Sequence, residues 1–177
     1  MLRPLLVASL GLASLASAAR ATGPCDGPGP ASRVAADQTA WTNLVPANGT
    51  GQTFTATRHH VTGVEVYVVT GNPQPDAEET LTLTLSGFGG DLLAQTTQAV
   101  VSGYEGWLCF PMPEEGIDVT PGETLVLHLR DTGKVIFGWR YGPNTYPRGH
   151  ALMLNRAARR FDFAFRVHDA TAGAGAS

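Results

Sequence analysis

Between residues 79 and 86, Leu81, Leu83 and Leu85 alternate with Thr80, Thr82 and Thr84. A period of two puts every leucine on one face of an extended strand and every threonine on the other. A helix, at about 3.6 residues per turn, would scatter the same leucines around its surface. The alternation recurs along the chain. Residues 62–70 set Val64, Val66 and Val68 against Glu65, Tyr67 and Val69, and residues 124–130 turn Leu125, Leu127 and Leu129 inward and His128 outward. Residues 160–168 are expected to form one strand burying Phe161, Phe163, Phe165 and Val167. No window carries a sustained helical stripe, so the chain reads as all-β.

The turns between these runs have their own chemistry. Gly71-Asn72-Pro73-Gln74-Pro75-Asp76 interrupts the sheet, Gly87-Phe88-Gly89-Gly90-Asp91 reverses it, and Thr120-Pro121-Gly122-Glu123 places Pro and Gly at the centre of a type II turn. Further strands are expected over residues 52–56, 92–101, 134–141 and 150–155. Residues 107–110 are apolar on both faces, Trp107 and Cys109 opposing Leu108 and Phe110, which predicts a central strand. Eight or nine short strands with turns at such intervals predict a two-sheet antiparallel β-sandwich of jelly-roll type. The bulky aliphatic stripes favour a filled core over a ligand-carrying barrel.

The ends carry different signals. Residues 1–21 combine Arg3, an apolar run and small residues before two Ala-x-Ala sites, the layout of an export signal peptide. The run is shorter than the roughly 20 residues a spanning helix needs, so no membrane span is expected. Residues 22–40 are rich in Gly and Pro and read as a linker, residues 41–169 as the sandwich, and residues 170–177 as a small-residue tail. The expected location is secreted or periplasmic. The full chain has a formal charge of −3, and removing residues 1–21 takes away Arg3 and Arg20 and leaves −5. A surface that tracks phosphates needs the opposite sign, so no nucleic-acid partner is expected.

Cys25 and Cys109 are the two cysteines. In an oxidising compartment an even pair closes a bridge more often than it stays free, so a Cys25–Cys109 disulfide is expected. By chain entropy a loop of about 85 residues contributes roughly 4–5 kcal/mol at most. Asn48-Gly49-Thr50 is a glycosylation sequon and is expected to serve as a turn.

Gly51-Gln52-Thr53-Phe54-Thr55-Ala56, the alternating valines that follow, Thr120-Pro121-Gly122-Glu123-Thr124-Leu125, Gly138-Trp139-Arg140-Tyr141-Gly142 and Phe163-Ala164-Phe165-Arg166-Val167 together resemble the jelly-roll modules of exported bacterial proteins. The resemblance spans residues 51–168. It implies an accessory, surface-attached or carbohydrate-binding-like sandwich without assigned activity.

Motifs for chemistry are sparse. Neither Ser86 nor Ser102 sits in the Gly-x-Ser-x-Gly elbow of an α/β-hydrolase. His59, His60, His128, His150 and His168 lack metal-ligand spacing, and adjacent His59 and His60 point to opposite sides of an extended strand. The pairs Glu78-Glu79 and Glu114-Glu115 are neighbours, not the separated carboxylates of a glycosidase. No cofactor is expected, with structural calcium at Asp76, Glu78 and Asp162 as the one ion considered.

The segment 139–150 is the richest in ligand-binding chemistry: Trp139, Arg140, Tyr141, Asn144, Tyr146 and Arg148 precede His150. Aromatic faces stack on sugars while Arg and Asn orient them. The alternative is that Trp139 and Tyr141 belong to the core and the rest is a well-made loop. The functional expectation is a non-catalytic exported binding or surface-assembly module with a glycan or surface protein as partner. The competing expectation is a small hydrolase on the same scaffold.

Overall fold

The computed structural model describes Cys25 and residues 32–33, 40–43, 50–71, 78–113, 115–132 and 136–170. Fourteen strands lie among them: β1 (Ser32–Arg33), β2 (Ala40–Asn43), β3 (Gly51–Thr55), β4 (His60–Gly71), β5 (Glu78–Gly87), β6 (Leu92–Val101), β7 (Glu105–Pro111), β8 (Ile117–Asp118), β9 (Thr124–Arg130), β10 (Ile136–Pro143), β11 (Ala151–Met153), β12 (Arg156–Ala158), β13 (Phe161–Phe163) and β14 (Phe165–Ala170). Eight of them have five residues or more, and the six short ones carry the count above the expected eight or nine.

They form two antiparallel sheets, as expected for a sandwich. The first runs β1-β14-β4-β10-β13, with β7 and β8 also on β4 and β2 on β10; the second runs β12-β11-β3-β9-β5-β6. Between them lie the leucine stripes of β5 and β9, the valines of β4, and Phe54, Phe110, Phe137, Trp139, Phe163 and Phe165, all almost fully buried. The alternation thus sets the layer spacing: inward residues interdigitate, and Thr80, Thr82 and Thr84 face out half-buried. The turn before β9 has Gly122 at φ 90° and Glu123 N–H donating to the Thr120 carbonyl at 2.9 Å, the positive φ that type II geometry reserves for glycine.

Several expectations are corrected. Among the described residues β7 pairs with β4 alone, which makes residues 107–110 part of an edge strand. The outward Trp107 and Cys109 are half-buried by side chains lying across that face, which made the run look two-sided in sequence. The run over residues 160–168 splits at Ala164 into β13 and β14. There β14 leaves β4, whose next residues pair with β10 instead, and β13 continues along β10. Three donors meet the break: Tyr67 N–H and the Trp139 indole N–H both reach the Ala164 carbonyl, and Ala164 N–H reaches the Arg140 carbonyl. Phe161, beyond the break, is 37 % exposed and lies outside the core. The segment read as linker supplies β1, which pairs Ser32 with Val167 and Arg33 with Arg166, so sheet pairing begins before Trp41.

Where β5 starts beside the end of β9, two carboxylates are buried together. Glu79, 1 % exposed, accepts from Thr80 N–H, Thr132 N–H and the Thr132 hydroxyl. Burial first, and the neighbouring Glu79 second, push Asp131 up from 3.8 to about 6, against an opposing backbone hydrogen bond. A folded-state value above the unfolded one means the folded chain holds more protons between these values, so stability falls as pH rises through that window. Asp131→Asn, neutral throughout, should gain on the wild type across this window and melt higher by roughly a few degrees at neutral pH. Paired thermal melts from acid to neutral pH check this; a constant difference between the two proteins would refute it.

Candidate functional site

The segment 139–150 proves to be mostly scaffold. Trp139 is fully buried, its indole stacked on Phe163 at 4.4 Å and 21°. That corrects its assignment as a ligand residue, since neither ring face meets solvent. Tyr141 packs edge-on against Phe161 and Phe163 at 5.3 and 6.1 Å. The Tyr146 ring stands perpendicular to Phe165 at 5.5 Å, and its hydroxyl accepts from Thr55 N–H at 3.1 Å. Asn144 is exposed but tied down, its amide donating to the Arg159 carbonyl at 2.8 Å. Arg148 is exposed, and its carbonyl accepts from the Thr55 hydroxyl. His150 bonds Thr53 through its main chain, with Nδ1 3.4 Å from the Thr53 hydroxyl. The loop therefore closes the edge of β3 beyond the point where β11 stops.

A buried polar pair locks this closure. Asp162 and Gln52, both at 0 % exposure, are joined by Gln52 Nε2 donating to Asp162 Oδ1 at 3.1 Å. The other Asp162 oxygen accepts from Thr145 and Tyr146 N–H, each at 2.7 Å, and Gln52 Oε1 accepts from Phe163 N–H at 2.8 Å. Asp162 thus spends its lone pairs on the protein. Of the other two calcium candidates, Glu78 is exposed and Asp76 lies outside the described residues. No group of three or more His, Cys, Asp or Glu that could hold a metal occurs among the described residues.

Of the segment 139–150, Arg140 points elsewhere, and what it joins was not read from the sequence. It lies on the outward face of the first sheet, its guanidinium 4.8 Å from the Tyr67 ring centre and ion-paired with Glu105. Tyr67 meets Trp107 edge-on at 5.4 Å, because β4 and β7 pair these two residues directly. The Arg166 guanidinium stands over the Trp107 ring at 3.8 Å and contacts Glu65 at 3.4 Å, and Glu65 holds His168 Nε2 at 3.0 Å. Two guanidinium groups and two rings so form one row across β10, β4, β7 and β14. Each cation–π contact of this kind contributes roughly 0.5–2 kcal/mol. Tyr104 closes one end, its hydroxyl donating to the Trp107 carbonyl at 2.7 Å. Burial, then the nearby Tyr67 and Glu65, raise its pKa and keep that donor protonated.

The same sheet anchors the N-terminal arm. Cys25 is bonded to Cys109, opposite Glu65 on β4, with Cα atoms 6.0 Å apart. β1 adds to β14, and β2 adds to β10 with Trp41 opposite Arg140. The expected disulfide is present, and it joins the arm to an outward position.

The charged groups of this face are paired between strands of the first sheet. Arg140 pairs with Glu105 and Arg166 with Glu65, so the face sets guanidinium and carboxylate groups beside two aromatic rings. Glu105 lies opposite Val69, four residues along β4 from Glu65, or roughly 13 Å of strand. A glycosidase pair stands roughly 5–9.5 Å apart across a cleft. Among the described residues no hydroxyl or thiol bonds the second nitrogen of His168. A crevice lined by Phe54, Thr57, Arg58, Val61 and Asp169 has no room for a water molecule, and Asp169 closes it through Thr57 and Arg58. No known protein family and no curated protein matches the chain.

Proposed function

We propose that this chain is a non-catalytic, exported binding module of jelly-roll type, and that it holds glycans on the outer face of its first sheet. The observation that carries this reading is the Arg140–Tyr67–Trp107–Arg166 row with Glu65 and Glu105 beside it. Sugar rings present apolar C–H faces rimmed by hydroxyls. Half-buried aromatic rings flanked by forked guanidinium and carboxylate groups suit both features, and their fixed stacking keeps the entropy of ordering low. The site thus moves from the loop of residues 139–150 to a flat face that shares only Arg140 with it. The hydrolase alternative gains no support from these contacts, since Glu65 and Glu105 are each committed to an arginine.

The test is retention on immobilised polysaccharides, with Trp107→Ala against wild type. Trp107 is on an edge strand and half-buried, so its loss should leave the fold in place. Retention by the wild type and at least tenfold weaker retention by a folded Trp107→Ala are expected. Equal retention of the two would remove this face from consideration, and hydrolysis of the resin by the wild type would restore the catalytic alternative.

A further inference from the structure

The two sheets end in strands that are not equally protected. On the first sheet, β7 carries Glu105 and Pro111 and is tied to Cys25, and β1 is two residues long. On the second, β12 is three residues long and begins with Arg156. β6 has none of these features. It runs ten residues, Leu-Leu-Ala-Gln-Thr-Thr-Gln-Ala-Val-Val, with no charge and no proline, and among the described residues it pairs with β5 alone. Leu92 at one end is 62 % exposed and Val101 at the other 57 %. A long, uncharged edge with open N–H and C=O groups is a template for another strand, and proteins that stay monomeric blunt such edges.

We infer that β6 pairs antiparallel with β6 of a second copy, joining two second sheets into one continuous sheet across a twofold axis. A second copy is favoured by the strand's own pattern, because a twofold antiparallel pairing brings the exposed Leu92 end of each copy to the exposed Val101 end of the other. The strand brings no charge to the contact. It is also self-complementary, as a twofold contact requires. Within the chain, the segment entering β5 carries Pro73 and Pro75, which lack the N–H groups a ladder needs.

The pleat restricts the register. Gln95, Thr97 and Ala99 lie opposite Thr84, Thr82 and Thr80, so they face outward with them. Residues directly opposite in an antiparallel pair share a face, so each outward residue must meet an outward one. With Thr97 on the axis, Gln95 of each copy meets Ala99 of the other. Val101 then approaches the Leu92 end of the partner strand, covering the exposed apolar groups at both ends. This inference does not depend on glycan binding, which uses the other sheet; either can fail without the other.

The experiment is light scattering of the full chain over a concentration series, with Thr97→Lys and Thr97→Glu. Thr97 is exposed, so both variants should fold, with a melting temperature close to wild type. The wild type should show twice the chain mass. Each variant alone should be monomeric, because it sets like charges face to face. An equimolar mixture of the two should regain the dimer, since Lys meets Glu only between copies. If Thr97→Lys does not fold, Gln95→Lys combined with Ala99→Lys sets lysines opposite one another in the same register and replaces it. A monomeric wild type at every concentration, a dimer unaffected by lysine, or open-ended polymers would each overturn the inference.

Discussion

Replacing Trp139 with alanine should destabilise the fold by about 3–5 kcal/mol, the usual range for removing a large aromatic side chain from a core. In a domain of this size that is a fall in Tm of roughly 10 °C or more. Two losses combine. The stack on Phe163 disappears and leaves a void between β10 and β13. The Ala164 carbonyl also loses the indole N–H at 2.8 Å, at the residue where β13 and β14 part. Trp139→Phe separates the two, because it keeps a ring for the stack and removes only the donor. It should fall between wild type and alanine. Thermal or urea melts of the three proteins make the measurement. An alanine variant as stable as wild type would mean that the indole is not a core element, and would return Trp139 to the ligand residues.

Much of this fold was legible in the sequence because strand alternation is local. The leucines of β5 and β9 and the valines of β4 needed only a period of two to be assigned inward, and all are buried. The turn at Gly122 was legible for the same reason, its geometry being fixed by adjacent residues. What failed was non-local. β7 has a buried look from its own residues, and only the sheet order makes it an edge. The run ending in Phe165 and Val167 keeps its alternation through Ala164, so nothing in it marks the exchange of partner from β4 to β10.

The candidate face was half visible. Glu65 and Tyr67 read as outward on β4, and Trp107 as opposite in face to Phe110, but their meeting depends on a pairing register 40 residues apart that sets Tyr67 against Trp107. The aromatic density of residues 139–150 was a real signal with another cause. An edge-closing loop between two sheets needs rings to plug the open end of the core, and Tyr141 and Tyr146 do that. Gly149 reflects the same closure. A β-carbon there would stand 1.9 Å from the Thr53 carbonyl oxygen, so only glycine lets the loop backbone come this close to β3.

Asp162→Ala should loosen that closure and cost roughly 3 kcal/mol or more. Three donors lose their acceptor at once: Thr145 N–H, Tyr146 N–H and Gln52 Nε2. Each buried donor left unsatisfied costs about 1–3 kcal/mol, reduced where the loop relaxes or water enters. Asp162→Asn keeps the shape but offers a single acceptor oxygen, so its NH2 group must face either the loop amides or Gln52. Gln52 cannot turn its amide to compensate, because its own oxygen holds Phe163 N–H. The asparagine variant should therefore lie between alanine and wild type. Hydrogen exchange locates the effect: amides 145 and 146 should lose protection in both variants, while those of β5 and β9 change only as far as global stability falls. Equal loss across both sheets would mean that Asp162 supports the fold as a whole. Unchanged protection at 145 and 146 would mean that the loop is held by Tyr146 and His150 on β3, with the buried carboxylate contributing little.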